Sequence, residues 1–265
     1  GNVMEYEPLK DRAANLIRIF PSLREKFYYL LDLLLLRQRY VKREINRLFK
    51  PEDRFLYYDA GAGFCQYSWY VLKKYPSAKV FSTDINGDYL KDFSEYASQV
   101  FPGRFSWKRA DLQTFIPDNK YHLVTAIDIL EHIPDDIAVL QNFYKGMADK
   151  GILIISTPSD KDETAKFTEE HIRPGYNKKE LEEKVQFCGF KILKSVYSYG
   201  FWGSLSWRLL IRLPLGMLSK SKLWLTVLPF YYLLILPVAE LMMQLDIHTY
   251  NSSGTGIILV AQKDV

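Results

Sequence analysis

Apolar residues recur at intervals of three and four through the first fifty positions. Leu16, Ile19, Phe20 and Leu23 open a stripe that Phe27, Leu30, Leu31, Leu34 and Leu35 continue, which is the period of an amphipathic helix. Pro21-Ser22 divides the pattern into two helices, with Ser22 placed to cap the second, and Pro51-Glu52-Asp53 ends it. The pattern then changes to short apolar runs bounded by turn residues. These predict strands at Phe55–Asp59, Lys79–Asp84, Arg104–Lys108, His122–Ile127 and Gly151–Ser156, separated by helical patterns at Tyr67–Lys74, Asp88–Phe101 and Ile137–Met147. A further helix is expected at Lys178–Phe187, a sixth strand at Lys191–Tyr197 and a seventh at Gly256–Gln262. Strands alternating with helices imply a parallel sheet with right-handed crossovers. In such sheets ligands bind at the carboxyl ends of the strands, where strand order reverses.

Between the sixth and seventh strands lies Phe201–Asp246, apolar and aromatic, which reads as helices broken at Pro214, Pro229 and Pro237. The expected organisation is an N-terminal helical cap over 1–54 and an α/β domain over 55–265 carrying this insertion at 201–246. Leu223–Ala239 contains no charge, but it is short for a membrane span and two prolines interrupt it. Trp202, Trp207 and Trp224, with Arg208, Arg212, Lys220 and Lys222 against Glu240 ahead of the closing Asp246, suit a helical lid. Such a lid would pack on the N-terminal helices around an apolar pocket, or touch a membrane edge. Homodimerisation through the same face could accompany either.

At 48% apolar, 15% aromatic and 25% charged residues over 265 positions, a disordered chain is excluded, because that much apolar surface buries itself. Only Cys65 and Cys188 are present, which excludes a disulfide-stapled module and favours a reducing, cytoplasmic setting. The opening Asn2-Val3-Met4-Glu5-Tyr6-Glu7 has no secretory pattern, and Gly1 is set aside as a tag scar. Residues 1–50 hold eleven Lys/Arg against six Asp/Glu within a net charge of +4, a weak pointer to an anionic partner.

The candidate chemistry starts at Asp59-Ala60-Gly61-Ala62-Gly63-Phe64-Cys65, a strand end followed by a glycine turn. Two glycines let the backbone turn sharply and let a ligand approach closely. Asp84 ends the second strand, where a carboxylate can accept both hydroxyls of an adenosine ribose. That spacing serves a nicotinamide dinucleotide or S-adenosylmethionine. A dinucleotide site uses a third glycine and binds a pyrophosphate. Here Gln66 holds that position, and Asp59 would repel a pyrophosphate while favouring an ammonium. The residues therefore favour S-adenosylmethionine.

The ordered set resembles the class I S-adenosylmethionine-dependent methyltransferases. It comprises Asp59-Ala-Gly-Ala-Gly63, Asp84, Arg109-Ala110-Asp111-Leu112, Asp128-Ile129-Leu130-Glu131-His132-Ile133 and Ser156-Thr157-Pro158. The resemblance implies a Rossmann-like seven-stranded methyltransferase sheet, mostly parallel with an antiparallel last strand, plus N-terminal helices and the helical insertion. It implies that Asp59, Gly61 and Gly63 line the methionine and ribose side and that Asp84 holds the ribose hydroxyls. Asp111 and Leu112 would frame the adenine, and Asp128 would sit beside the methionine portion. Cys65 stands where the family has a third glycine. Thr168–Tyr176 resembles the His-x-Arg-x-x-Tyr stretch of small-molecule members, which makes His171 the candidate base and Arg173 and Tyr176 acceptor-side residues. His132 is either acceptor-side or part of a helix-entry turn, and His171 and Arg173 could instead pin their loop. Four histidines and two distant cysteines give no metal cluster. No nucleic-acid pattern is present. The expected function is methyl transfer to an O, N or C atom of a small, hydrophobic or lipid-like acceptor. A non-enzymatic binding module and an NAD-dependent oxidoreductase or epimerase are the alternatives.

Overall fold

The computed structural model describes residues 22–161 and 173–264, together with 12 and 15–17. The chain divides into two compact units, residues 1–42 with 196–256, and residues 43–195 with 257–265.

The second unit is built on the sheet. Its strands are β1 (Leu56–Ala60), β2 (Lys79–Asp84), β3 (Phe105–Arg109), β4 (Tyr121–Ile127), β5 (Met147–Pro158), β6 (Phe190–Ser198) and β7 (Gly256–Lys263). They lie in the order β3-β2-β1-β4-β5-β7-β6, with β7 antiparallel. Chain order reverses between β1 and β4, so the ligand crevice of an open α/β sheet is expected above that pair. Parallel register aligns the strand ends there: Ala60 stands beside Thr83 on one side and Ala126 on the other. β1 and β4 are buried almost throughout, which is why they read as continuous apolar runs rather than alternating ones.

The crossover helices begin where side chains can cap them. α4 (Gly87–Val100) starts after Asn86, whose side chain accepts from Asp88 N at 3.0 Å, and it buries Leu90, Phe93 and Ala97 on one face. α5 (Asp136–Lys145) is capped by Asp135 through Ala138 N, and α6 (Lys178–Phe187) by Asn177 through Lys179 N and Glu180 N. Each cap satisfies amide donors that have no partner inside the helix. α3 (Gln66–Lys74) starts differently, after Cys65 in the left-handed conformation.

The described residues of the first unit are mostly helical. α1 (Leu23–Leu34) and α2 (Leu36–Leu48) are separated at Leu35, an extended residue that the apolar stripe did not mark. Ser22 precedes α1 without a side-chain capping bond, because its own backbone is already helical. α7 (Phe201–Trp207) runs through a π-helical stretch (Arg208–Arg212) into α8 (Leu213–Lys220). A 3₁₀ turn (Lys222–Thr226) then leads to the 21-residue α9 (Leu228–His248). Pro229 sits in the first turn of α9, where a missing N–H costs nothing, so it starts a helix, whereas Pro214 lies where the helical run passes from the π stretch into α8 without a break. Pro237 lies inside α9, which continues through it instead of breaking.

This unit is tied together by a buried carboxylate. Asp246 accepts from Tyr40 OH at 2.7 Å, Tyr199 N at 3.1 Å, and Gly200 N and Gly203 N at 3.0 Å each. Gly203 is required there, since a Cβ would press on Leu36 and on the Asp246 carboxylate. Arg39 pairs with Glu240, and Arg37 N donates to Tyr199 OH. The insertion therefore packs on the N-terminal helices, one of the arrangements expected from its composition.

Candidate active site

The carboxyl ends of β1, β2 and β4 bring together most of the residues singled out in the sequence. The turn after β1 is left-handed at Gly61 (φ +68°), Gly63 (φ +55°) and Cys65 (φ +63°). A Cβ on Gly61 would collide with the Ile129 side chain, so this glycine allows the turns after β1 and β4 to touch. Around Gly63 the reverse holds: apart from its two chain neighbours, no atom of the described residues lies within 4 Å of the Cβ it lacks. That bare, open backbone is what a ligand needs for close approach. Cys65 is fully buried; its left-handed φ explains why glycine suits the position, and it carries the strain that a non-glycine residue meets there.

Asp84 ties the turn to β2. Its carboxylate accepts from Gly63 N at 2.9 Å and Asn86 N at 3.0 Å, one oxygen each. Each oxygen keeps a lone pair for a further donor. Ala110 N donates to Asp84 O at 3.1 Å, which sets the Asp111 turn beside the end of β2. Asp111 is exposed and accepts from Gln113 N at 2.9 Å. Leu112 is buried, and its carbonyl is held by Asn142 Nδ2 at 3.1 Å.

Asp59 lies deeper than a ligand-lining role would put it. It is 2% exposed, accepting from Ser68 Oγ at 2.6 Å and from Thr125 Oγ1 at 3.4 Å. Burial pushes its carboxyl up to about 6; the hydroxyl bonds oppose that rise, and the nearby Asp84 charge adds to it. Asp128 ends β4 with φ +53°, an unusual conformation for a residue with a Cβ. Two bonds hold it, Asp128 N to Ser156 O at 2.7 Å and Ser156 Oγ to Asp128 Oδ1 at 3.1 Å. Local strain fixed by neighbours in this way collects at ligand sites. Gln66 Oε1 is buried with no hydrogen-bond partner among the described residues. An acceptor left in that state beside a glycine turn suits a ligand that brings a donor.

The expected acceptor-side residues are placed differently. Arg173 Nη1 donates to Leu130 O at 2.7 Å, Ile133 O at 2.9 Å and Tyr176 OH at 2.9 Å, and Nη2 donates to Pro134 O at 3.2 Å. Tyr176 is 2% exposed and donates to Asp136 Oδ2 at 2.6 Å. Burial and the Asp136 carboxylate push the phenol far above its ordinary range. Burial opposes ionisation of Asp136 as well, but bonds from Lys184 and Tyr176 and the Arg173 charge outweigh it and hold that carboxyl low. Arg173 and Tyr176 thus clamp the turn after β4, their polar groups spent on carbonyls and a carboxylate rather than presented to an acceptor. His132 lies in the 3₁₀ turn Leu130–His132, with Nε2 3.6 Å from Glu131 Oε1. His171 lies outside the described residues. Among the described residues no group of three or more His, Cys, Asp or Glu could hold a metal ion.

Sequence reasoning missed Ser68, Thr125 and Glu131. Ser68 and Thr125 are polar residues inside apolar stretches of α3 and β4, and that interruption is the signal that could have found them. Glu131 is 1% exposed with Thr157 Oγ1 at 3.4 Å.

Comparison with known proteins agrees with this fold. Residues 58–153 match the family model described as a methyltransferase domain. A trans-aconitate 2-methyltransferase of Azoarcus sp. (strain BH72) is 24% identical over 112 residues, 42% of each chain. The aligned region thus spans less than half the length of that curated relative. Phosphoethanolamine N-methyltransferase 2 of Haemonchus contortus, solved with S-adenosyl-L-methionine, superposes with a TM-score of 0.57 at 14% identity. The overlap is 83% of this chain and 51% of that one. The [4+2]-cyclase SpnF superposes with a TM-score of 0.53 at 14% identity, covering 81% of this chain and 76% of that one. At these identities the structural likeness establishes the fold, and the cyclase shows that the fold does not by itself fix the reaction.

Proposed function

From a chain whose residues 58–153 form a class I S-adenosylmethionine-dependent methyltransferase domain, we propose that it transfers a methyl group to a small, hydrophobic or lipid-like acceptor. The observation that carries the reading is the junction of the open Gly63 turn with the Asp84 carboxylate. A bare backbone and a charged double acceptor meet there above the carboxyl ends of β1 and β2, next to the strand-order reversal. When bound, S-adenosylmethionine supplies a methyl on a positively charged sulfonium. Asp84 is suited to the ribose hydroxyls, the Asp111–Leu112 turn to the adenine, and Asp128 with Gln66 Oε1 to the ammonium end. Asp59, beneath the turn, sets the local negative potential without offering a free oxygen to the surface.

Methyl transfer from such a donor asks mainly for orientation, which in well-aligned cases is worth up to about 7–11 kcal/mol. His171 is the proposed base that takes the proton of the acceptor, since imidazole titrates near neutrality. Arg173 acts as a positioning residue for the turn that carries Glu131 and His132. The apolar insertion supports a hydrophobic acceptor and a cytoplasmic, membrane-associated workplace. The test is a labelled-methyl assay of the full chain against a panel of apolar and polar acceptors. Label transfer to apolar members supports the reading. Cofactor binding without transfer to any acceptor would return the protein to a binding module.

A further inference from the structure

A helix on the outside of a soluble protein turns polar residues to water. α9 does not. On its inward side Leu228, Ala239, Met243 and Asp246 are buried. On the opposite side Phe230, Leu233, Leu234, Val238, Leu241 and Leu245 recur at helical spacing, and Leu233 and Leu234 are 74% and 75% exposed. The 3₁₀ turn leading into α9 extends the same apolar character, with Leu223 78% and Leu225 57% exposed beside Trp224. Scattered surface leucines need no explanation, but a continuous stripe along a whole helix marks a surface that something covers.

Charge identifies the cover. Lys220 and Lys222 stand exposed at the start of the stripe, and Arg208 and Arg212 are exposed on the preceding turns. The acids of the insertion are already engaged: Glu240 pairs with Arg39, and Asp246 is buried among backbone donors. The rim is therefore basic. A second copy would bring the same basic rim against it, whereas an anionic bilayer complements both the charge and the apolar stripe. We propose that α9 and its leading turn dock in the plane of an anionic lipid membrane. The leucine stripe enters the acyl boundary, Trp224 sits at the interface, and Lys220 and Lys222 rest on headgroups. α9 is long and apolar enough to cross a bilayer, but crossing would carry the Glu240–Arg39 pair and Asp246 to membrane depth, a costly position for ionised groups. Lying in the plane leaves them on the protein side. The inference deepens the hydrophobic-acceptor reading by naming the surface from which such an acceptor is reached. Its test needs no catalysis, so the two can fail separately.

The experiment is vesicle flotation of the full chain with phosphatidylcholine alone and with phosphatidylcholine containing phosphatidylglycerol. The parent should float with the anionic vesicles, less so at high salt. Leu234→Glu with Leu241→Glu, and separately Lys220→Glu with Lys222→Glu, should each weaken flotation at least about tenfold, with far-UV circular dichroism unchanged. Four results would overturn the proposal. The parent could fail to float, or both double variants could float like the parent. The protein could also form a dimer that Leu234→Glu with Leu241→Glu dissolves, without binding lipid. Retention on vesicles after alkaline carbonate extraction would replace in-plane docking by a span.

Discussion

Replacing Asp59 by Asn should stabilise the protein at neutral pH and remove one component of its pH dependence. The carboxylate is 2% exposed, and burial raises its pKa from 3.8 to about 6, against the hydrogen bonds from Ser68 and Thr125. An acid whose folded pKa is raised contributes its full stability below the unfolded pKa and loses it as pH rises through the folded one. At about 1.4 kcal/mol per pH unit, the rise from 3.8 to about 6 is a penalty on the order of 3 kcal/mol above pH 6. Asparagine has nearly the same shape, and one hydroxyl can donate to its carbonyl oxygen while the other accepts from its NH2, so the charge is removed with little packing change. Urea unfolding of parent and Asp59→Asn from pH 4 to pH 8 isolates the effect, because other carboxylates cancel in the difference. The stability gain of the variant should be near zero at pH 4, grow through pH 5 and 6, and level off above. A difference that stays flat across this range would show that the Asp59 carboxyl is not held protonated by burial.

Three other substitutions separate structure from chemistry. Arg173→Ala frees the carbonyls of Leu130, Ile133 and Pro134 and should cost about 3 kcal/mol in thermal or urea unfolding. Its acceptor KM should change little beside that loss; a large KM rise at unchanged stability would restore an acceptor-facing role. Asp246→Ala leaves the backbone amides of Tyr199, Gly200 and Gly203 without their acceptor and takes from Tyr40 OH its shorter bond, that hydroxyl keeping the carbonyl of residue 246 at 2.9 Å. It should lower stability by at least about 3 kcal/mol, and parent-like unfolding would refute the claim that this carboxylate ties the helical unit together. His171→Ala should lower kcat while cofactor affinity stays within a factor of a few, and equal turnover across pH 6–9 would remove His171 as the base.

Much of the fold was legible because its physics is local. Apolar runs marked most strands of the sheet, and Asn86, Asp135 and Asn177 cap the crossover helices through their own side chains. Gly61, Gly63 and Asp84 were legible as a site because strand ends in a parallel sheet must converge. What the sequence hid was relational. Nothing in the chain near Asp59 says that Ser68 and Thr125 bond to it from nine and sixty-six residues away. Nor does the apolar stripe of 201–246 disclose that Asp246 gathers donors from Tyr40 to Gly203. Arg173 and Tyr176 matched an acceptor-side pattern, yet their distant partners, the 130–134 carbonyls and Asp136, decide what they do. Pro237 misled for a simpler reason: tertiary packing on one face holds α9 through a residue that local propensity would make a break.

Calorimetric titration of S-adenosylmethionine and NAD into parent and Asp84→Ala reads the assignment of the Gly63–Asp84 junction to S-adenosylmethionine at its source. S-adenosylmethionine should bind saturably, NAD should show no comparable binding, and a folded Asp84→Ala protein should bind S-adenosylmethionine at least about tenfold more weakly, because two ribose hydroxyls lose a charged acceptor. Preferential binding of NAD, or S-adenosylmethionine affinity unchanged by the substitution, would contradict that assignment.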